Sequence, residues 1–289
     1  MHPTIIIIIF TTSFTLESFI ANGLGPQSAI DNYWKRISLE SANGAVVVDS
    51  SQSGSRIIGG EDTTIENYPF AVSIQNNGTF FGHEVEHFCG GSIINESWII
   101  TSAHCAQSLR RQNFHVRAGT DVYYKEGQIY EIDFAVIHPN FDEISSDYDI
   151  GLLKLKDCIR FDERKQPIKL PGEDWSAIKD GTRIDVIGWG AKKLLGQPSD
   201  KLEHTTILKI NSTECTAAMG GLSVTERMFC AFLYGQGPCI GDSGTPAVIN
   251  QILIGVTSWS PSCAYRYPTA FVDVSVMLDW ITETTKKFN

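Results

Sequence analysis

From residue 57 to the C-terminus, apolar residues fall in short runs separated by turn formers. Phe70–Ile74, Ser92–Ile94, Trp98–Ile100, Ile129–Val136, Ile150–Leu155, Ile184–Ile187 and Ile252–Val256 are rich in β-branched and aromatic side chains and read as strands. Short strands at this spacing predict an all-β sandwich or barrel. Helical spacing emerges only at the end of the chain. There Val274, Val276, Met277, Trp280 and Ile281 sit near i, i+3, i+4, i+7 positions, with Lys286 and Lys287 in the last turn. A C-terminal helix with one apolar face is expected.

The N-terminus has a different pattern. Ile5 to Ile9 and Phe10 form an apolar run too short to cross about 30 Å of hydrocarbon as a helix. The small residues Ala21 and Gly23 follow, so residues 1–23 read as a secretory signal, although no Lys or Arg precedes the run. A buried N-terminal strand is the competing reading. No other apolar run is long enough to anchor the chain in a membrane.

Residues 24–56 contain no cysteine and end in Asp49-Ser50-Ser51-Gln52-Ser53-Gly54-Ser55, a composition that is flexible and open to proteases. Arg56 then precedes Ile57-Ile58-Gly59-Gly60. This reads as a processing site between a propeptide, 24–56, and a domain from 57 to 289. An ordinary linker is the simpler reading unless something downstream needs a new N-terminus.

Composition narrows the class. A chain of 289 residues allows two packed units or one large β domain, and 42% hydrophobic against 19% charged residues supports a sizeable core. The net charge of −10, with no basic stripe, argues against nucleic acid as a partner. Sequons at Asn77, Asn95 and Asn211 support export and N-glycosylation, and export permits disulfides. The cysteine count is seven, so one thiol cannot pair within the chain.

A hydrolytic nucleophile needs a base within reach, a carboxylate to orient that base, and donors for the developing oxyanion. Thr101-Ser102-Ala103-His104-Cys105 offers the base, Asp147-Tyr148-Asp149-Ile150-Gly151 the carboxylate, and Gly241-Asp242-Ser243-Gly244 a serine between glycines. The order His, Asp, Ser is one of the chain orders in which such triads occur. Asp147 is the local rival to Asp149 and is expected at the surface.

These blocks occur in order with Ile57-Ile58-Gly59-Gly60, Cys89-Gly90-Gly91-Ser92, Gly188-Trp189-Gly190, Met228-Phe229-Cys230, Cys239 to Pro246 and Ser258-Trp259. Together they resemble the trypsin/chymotrypsin family of serine endopeptidases across nearly all of residues 57–281. The resemblance implies two antiparallel six-stranded β-barrels with a C-terminal helix and the active site between the barrels. It implies a catalytic triad of His104, Asp149 and Ser243, with the N–H groups of Gly241 and Ser243 as oxyanion hole. It also gives the processing site a purpose: cleavage after Arg56 by an Arg-specific protease frees the Ile57 α-ammonium, which pairs with Asp242. The disulfides implied are Cys89–Cys105, Cys215–Cys230 and Cys239–Cys263, leaving Cys158 as a free, half-buried thiol, with an intermolecular bridge as the competing reading.

By the same resemblance, Gly237 is the floor of the specificity pocket, followed by Pro238, with Ser258, Trp259, Ser260 and Thr269 along its walls. Gly237 provides no charge to hold Lys or Arg, and Ser260 and Thr269 narrow the slot. The expected P1 preference is therefore for small or medium apolar residues. Thr245 stands where the family has a second glycine; a β-branched residue disfavours positive φ, so extended backbone is expected there, clear of the oxyanion donors. Expected partners are protein or peptide substrates, the activating protease and protein inhibitors, for an extracellular monomer. No cofactor or metal is called for, and the 120–126 loop is too poor in acids for calcium. His83-Glu84-Val85-Glu86-His87 matches the zinc-peptidase pattern H-E-x-x-H, but that chemistry needs a helix, and this segment reads as β or loop. Two rival functions are a catalytically weak homologue with a regulatory or binding role and a zinc peptidase.

Overall fold

The structure is a computed structural model and describes residues 59–80, 83–109, 114–172, 178–193, 196–220, 222, 224–263 and 267–288. The expected signal, the propeptide, Arg56 and Ile57 lie outside the described residues.

Strands β2 (Ala71–Phe80), β3 (His83–Asn95), β4 (Trp98–Thr101), β5 (Phe114–Ala118), β6 (Gln128–Ile137) and β7 (Gly151–Leu155) close into an antiparallel barrel in the order β2-β3-β4-β7-β6-β5. It is sealed where β5 returns to β2, pairing Val116 with Ile74. The second barrel runs β8 (Arg183–Gly188), β9 (Glu203–Ile210), β10 (Met228–Phe232), β13 (Thr269–Asp273), β12 (Ile252–Trp259) and β11 (Pro246–Ile249), and β11 closes on β8. A short β1 (Glu61–Asp62) joins the edge of this barrel beside β9. Helix α1 (Ala103–Ser108) follows β4, and α2 (Ser212–Ala218) follows β9.

Each barrel fills its interior with its own side chains. Val72, Ile74, Ile93, Ile99, Val116 and Leu153 form the first core; Ile184, Val186, Ile207, Phe229, Ile254 and Phe271 form the second. A third cluster binds residues of both barrels, among them Phe70, Ile100, Leu152, Trp189 and Val256, to Ile281 of the C-terminal helix. Truncating a fully buried leucine such as Leu152 to alanine in such a cluster costs about 2–5 kcal/mol. The barrels are thus fixed to one another by apolar burial.

The C-terminal segment departs from the regular helix read in the sequence. Val274–Met277 is a 3-10 turn, capped by Asp273 through the Ser275 N–H, and α3 spans Leu278–Lys287. With three residues per turn, Val274 and Met277 share the buried face and Val276 turns outward. Val276 is therefore not part of the apolar face.

Candidate active site

His104 enters on α1, whose N-cap is Ser102. The next residue, Cys105, is disulfide-bonded to Cys89 of β3, so the histidine rides on a doubly tethered turn. Asp149 lies just before β7 and is 1% exposed. Its carboxylate accepts the His104 backbone N–H at 2.9 Å, His104 Nδ1–H at 2.8 Å and the Ser258 hydroxyl at 2.5 Å. An ionised carboxylate only accepts, so the imidazole hydrogen sits on Nδ1 and Nε2 is left as the base.

Ser243, the candidate nucleophile, makes no hydrogen bond to His104 among the described residues. His104 Nε2 lies 3.5 Å from Ser102 Oγ and 3.6 Å from Cys105 Sγ. Ser243 Oγ has no hydrogen-bond partner among the described residues. Ser258 and Trp259 form a wall shared by the His104 cleft, of about 840 Å³, and the Ser243 cavity, of about 370 Å³.

Around Ser243 the backbone is almost fully committed. Asp242 N–H donates to Cys239 O, Gly244 N–H to Thr257 O, and Thr245 N–H to Asp242 O. The N–H groups of Gly241 and Ser243 have no acceptor among the described residues. Gly244 stands at φ +80°, where a Cβ would come within 2.1 Å of Thr101 Oγ1. Only glycine fits beside the serine.

Asp242 is fully buried and accepts the N–H groups of Gly190 and Cys239, each at 2.9 Å. A Cβ on Gly190 would meet its Oδ2 at 2.1 Å, so the Gly188-Trp189-Gly190 motif makes room for this carboxylate. Burial pushes its pKa up to about 7 against the pull of those two N–H groups. No cation faces it among the described residues.

The H-E-x-x-H segment lies in β3 rather than on a helix. His83 stacks on Tyr124 and reaches toward Asp200, whereas His87 is buried, Nδ1 on Ser73 Oγ at 2.7 Å and Nε2 on Gly241 O at 3.0 Å. Because Gly241 O only accepts, His87 carries its hydrogen on Nε2 and accepts the Ser73 hydroxyl at Nδ1. Gln75 in turn donates to Ser73 Oγ at 2.9 Å. This buried chain, which pins the peptide between the two unengaged N–H groups, has no sequence signal beyond the misleading zinc pattern.

Pro238, Ile240, Ser260 and Thr269 line the Ser243 cavity together with the Cys239–Cys263 disulfide, and none of its lining residues among those described is charged. Gly237 is buried but does not line the cavity, whose wall begins at Pro238. Ser260 Oγ donates to Ser262 O at 2.7 Å, which turns its hydroxyl into the wall.

The structure forms the pairs Cys89–Cys105, Cys215–Cys230 and Cys239–Cys263. Cys158 is free but exposed rather than half-buried. Asn77 and Asn211 are exposed, and Asn95 is half-buried at the end of β3.

The sequence matches the family model described as Trypsin over residues 57–281. The chain belongs to the trypsin family. It is a serine endopeptidase, a peptide-bond hydrolase. It is similar to "Trypsin 5G1" of Aedes aegypti, 36% identical over 240 residues, covering 81% of this chain and 86% of that protein. A trypsin of Phaedon cochleariae is 35% identical, covering 80% and 88%, and the "Vitellin-degrading protease" of Bombyx mori is 33% identical, covering 79% and 85%.

Two residues of this trypsin-family chain sit differently from their sequence reading. Asp147 is not at the surface: its side chain is 16% exposed and receives a two-pronged bond from Arg227. A carboxylate paired in that way can leave water. Thr245 has negative φ, in keeping with its β-branch, but its hydroxyl donates to Asp242 O at 2.7 Å. That carbonyl belongs to the peptide unit carrying the Ser243 N–H, so Thr245 does reach one of the candidate oxyanion donors indirectly.

Proposed function

We propose that this serine endopeptidase is secreted as a zymogen and acts through a His104–Asp149–Ser243 triad with a preference for small or medium apolar P1 residues. The reading rests above all on the Asp149–His104 bond and on the Gly241 and Ser243 N–H groups, which are unengaged among the described residues. Ser243 Oγ attacks the scissile carbonyl carbon and its proton passes to His104 Nε2. Asp149 keeps the Nδ1–H in place and stabilises the imidazolium. The Gly241 and Ser243 N–H groups receive the oxyanion. Collapse breaks the C–N bond, His104 gives its proton to the leaving amine, and water then releases the acyl group by the same path. A Ser243–His104 hydrogen bond is of the kind that tightens when substrate binds.

Residues 1–23 serve as signal and 24–56 as propeptide, and an Arg-specific protease cuts after Arg56. The buried Asp242 carboxylate, without a cation among the described residues, is what the freed Ile57 ammonium would neutralise. The cavity bounded by Pro238 and Thr269, uncharged among the described residues, supports apolar P1 selection. Asn77, Asn95 and Asn211 are the glycan acceptors of this extracellular, monomeric enzyme of residues 57–289, whose partners include protein inhibitors. Wild type, Ser243→Ala and Arg56→Gln chains should be compared on a protein substrate after treatment with an Arg-specific protease. Only the wild type should cleave it. Full activity in Ser243→Ala contradicts the triad, and full activity in uncleaved Arg56→Gln contradicts the zymogen.

A further inference from the structure

Asp149 is the last of three residues held from both sides by the second barrel. Two residues earlier, Asp147 Oδ1 accepts Thr225 Oγ1–H at 2.7 Å and Arg227 Nε–H at 2.8 Å, and its Oδ2 accepts Arg227 Nη2–H at 2.7 Å. Thr225 and Arg227 lie just before β10, so this ion pair crosses between the barrels. Asp149 crosses the same boundary through Ser258 of β12.

Between the two acids sits Tyr148, at φ +53°, a left-handed conformation unfavourable for an aromatic residue. Its amide donates to Asp147 Oδ1 at 3.0 Å, and its carbonyl accepts Ile150 N–H at 2.7 Å in a tight turn with Asp149 at the apex. The ring is clamped on its faces. The Arg227 guanidinium carbon lies 4.8 Å from its centroid, and the His138 imidazole stacks on it at 4.4 Å and 15°. His138 is itself backed by Trp280 of the C-terminal helix.

A strained residue persists only where its surroundings over-determine it. Here the same guanidinium forks onto Asp147 and covers Tyr148, so one side chain holds both halves of the turn. The geometry points to Arg227 and Asp147 as positioning residues of the triad: their inter-barrel pair locks Tyr148 in its left-handed turn and thereby aims the Asp149 carboxylate at His104 Nδ1. An apolar interface alone would join the barrels without fixing this turn. Arg227 is suited to the task because its flat fork can do both at once; a lysine ammonium would keep the charge but lose the fork and the flat face.

The inference rests on the triad reading, and its test keeps the two apart. Active enzyme of wild type, Arg227→Gln, Arg227→Lys and Asp147→Asn is titrated with a serine-directed phosphonate to count competent sites, and kcat and KM are then measured per site on a peptide amide. The proton NMR resonance of the His104 Nδ1–H is recorded in parallel. Arg227→Gln should lose about tenfold in kcat with KM within about twofold, the scale of a small misalignment of a catalytic group. Its Nδ1–H signal should broaden or move, and Arg227→Lys should recover part of both effects. Asp147→Asn, which keeps the turn's amide acceptor, should fall between wild type and Arg227→Gln. Wild-type kcat per site and an unmoved Nδ1–H signal in Arg227→Lys, Asp147→Asn or Arg227→Gln, even with lowered thermal stability, overturn the positioning role. Failure of wild type itself to react with the phosphonate overturns the triad instead.

Discussion

The hydroxyl of Ser258, on the second barrel, donates to the carboxylate of Asp149, on the first, at 2.5 Å. The carboxylate is buried, so this bond works in a medium where a charge-assisted hydrogen bond is strong. Ser258→Ala leaves Asp149 short of one donor and free to turn. Such a loss costs about 1.5–3 kcal/mol. Steady-state kinetics should show kcat falling about tenfold or more with little change in KM; an unchanged kcat would show that Ser258 does not help hold the carboxylate.

Thr245→Val keeps the shape that fills the space against Gly90 and Gly188 but removes the hydroxyl bonded to Asp242 O. Stability should fall by about 1–3 kcal/mol, the cost of a buried hydrogen bond partly unmade, measured by urea unfolding. With the Ser243 peptide less firmly held, kcat should drop several-fold while KM holds. A variant as stable and active as wild type would leave Thr245 a packing residue only.

His87 and Asp242 make opposite contributions to stability against pH. Burial lowers the His87 pKa from 6.5 to about 4, against the pull of its bond to Gly241. Between these values the unfolded chain binds a proton that the folded chain refuses, so this group makes stability rise with pH by about 3 kcal/mol. Asp242 is raised from 3.8 to about 7, chiefly by burial. The folded chain then holds the extra proton, and stability falls by about 4 kcal/mol as pH rises across that window. Urea unfolding of the uncleaved protein from pH 4 to 7 separates them. Relative to wild type, Asp242→Asn should gain stability as pH rises and His87→Gln should lose it. Curves parallel to wild type would contradict the assignment.

The Ser243 cavity is bounded by Thr269 and Pro238 and carries no charge among the described residues. A lysine or arginine at P1 would bury its charge without a partner, so kcat/KM for such peptides should lie at least about 100-fold below that for alanine, valine or leucine. Thr269→Gly should shift the preference toward larger apolar residues. A peptide library read by mass spectrometry decides it; a dominant basic P1 would refute this pocket reading.

The motifs were legible because each is local and demands special chemistry: glycines where a Cβ would strike Thr101 or Asp242, and a cysteine next to His104. Strands β5 and β9 were not, because polar side chains take buried positions. In β5, His115 and Arg117 alternate with the core residues Val116 and Ala118 and are buried on the opposite face, where they bond to Gln75 Oε1 of β2. In β9, Glu203 and Thr205 occupy buried positions of a period-two pattern. Asp147 was misplaced for a related reason: its partner Arg227 lies 80 residues away, and nothing local reveals the pair.

In the proposed mechanism Ser243, activated by His104 on Asp149, is the nucleophile. That role is tested most directly by treating the active enzyme with a serine-directed phosphonate and locating the adduct by peptide mass spectrometry. One adduct per chain is expected, on Ser243, absent from His104→Ala and Ser243→Ala. An adduct on another residue, or undiminished labelling in Ser243→Ala, would contradict it.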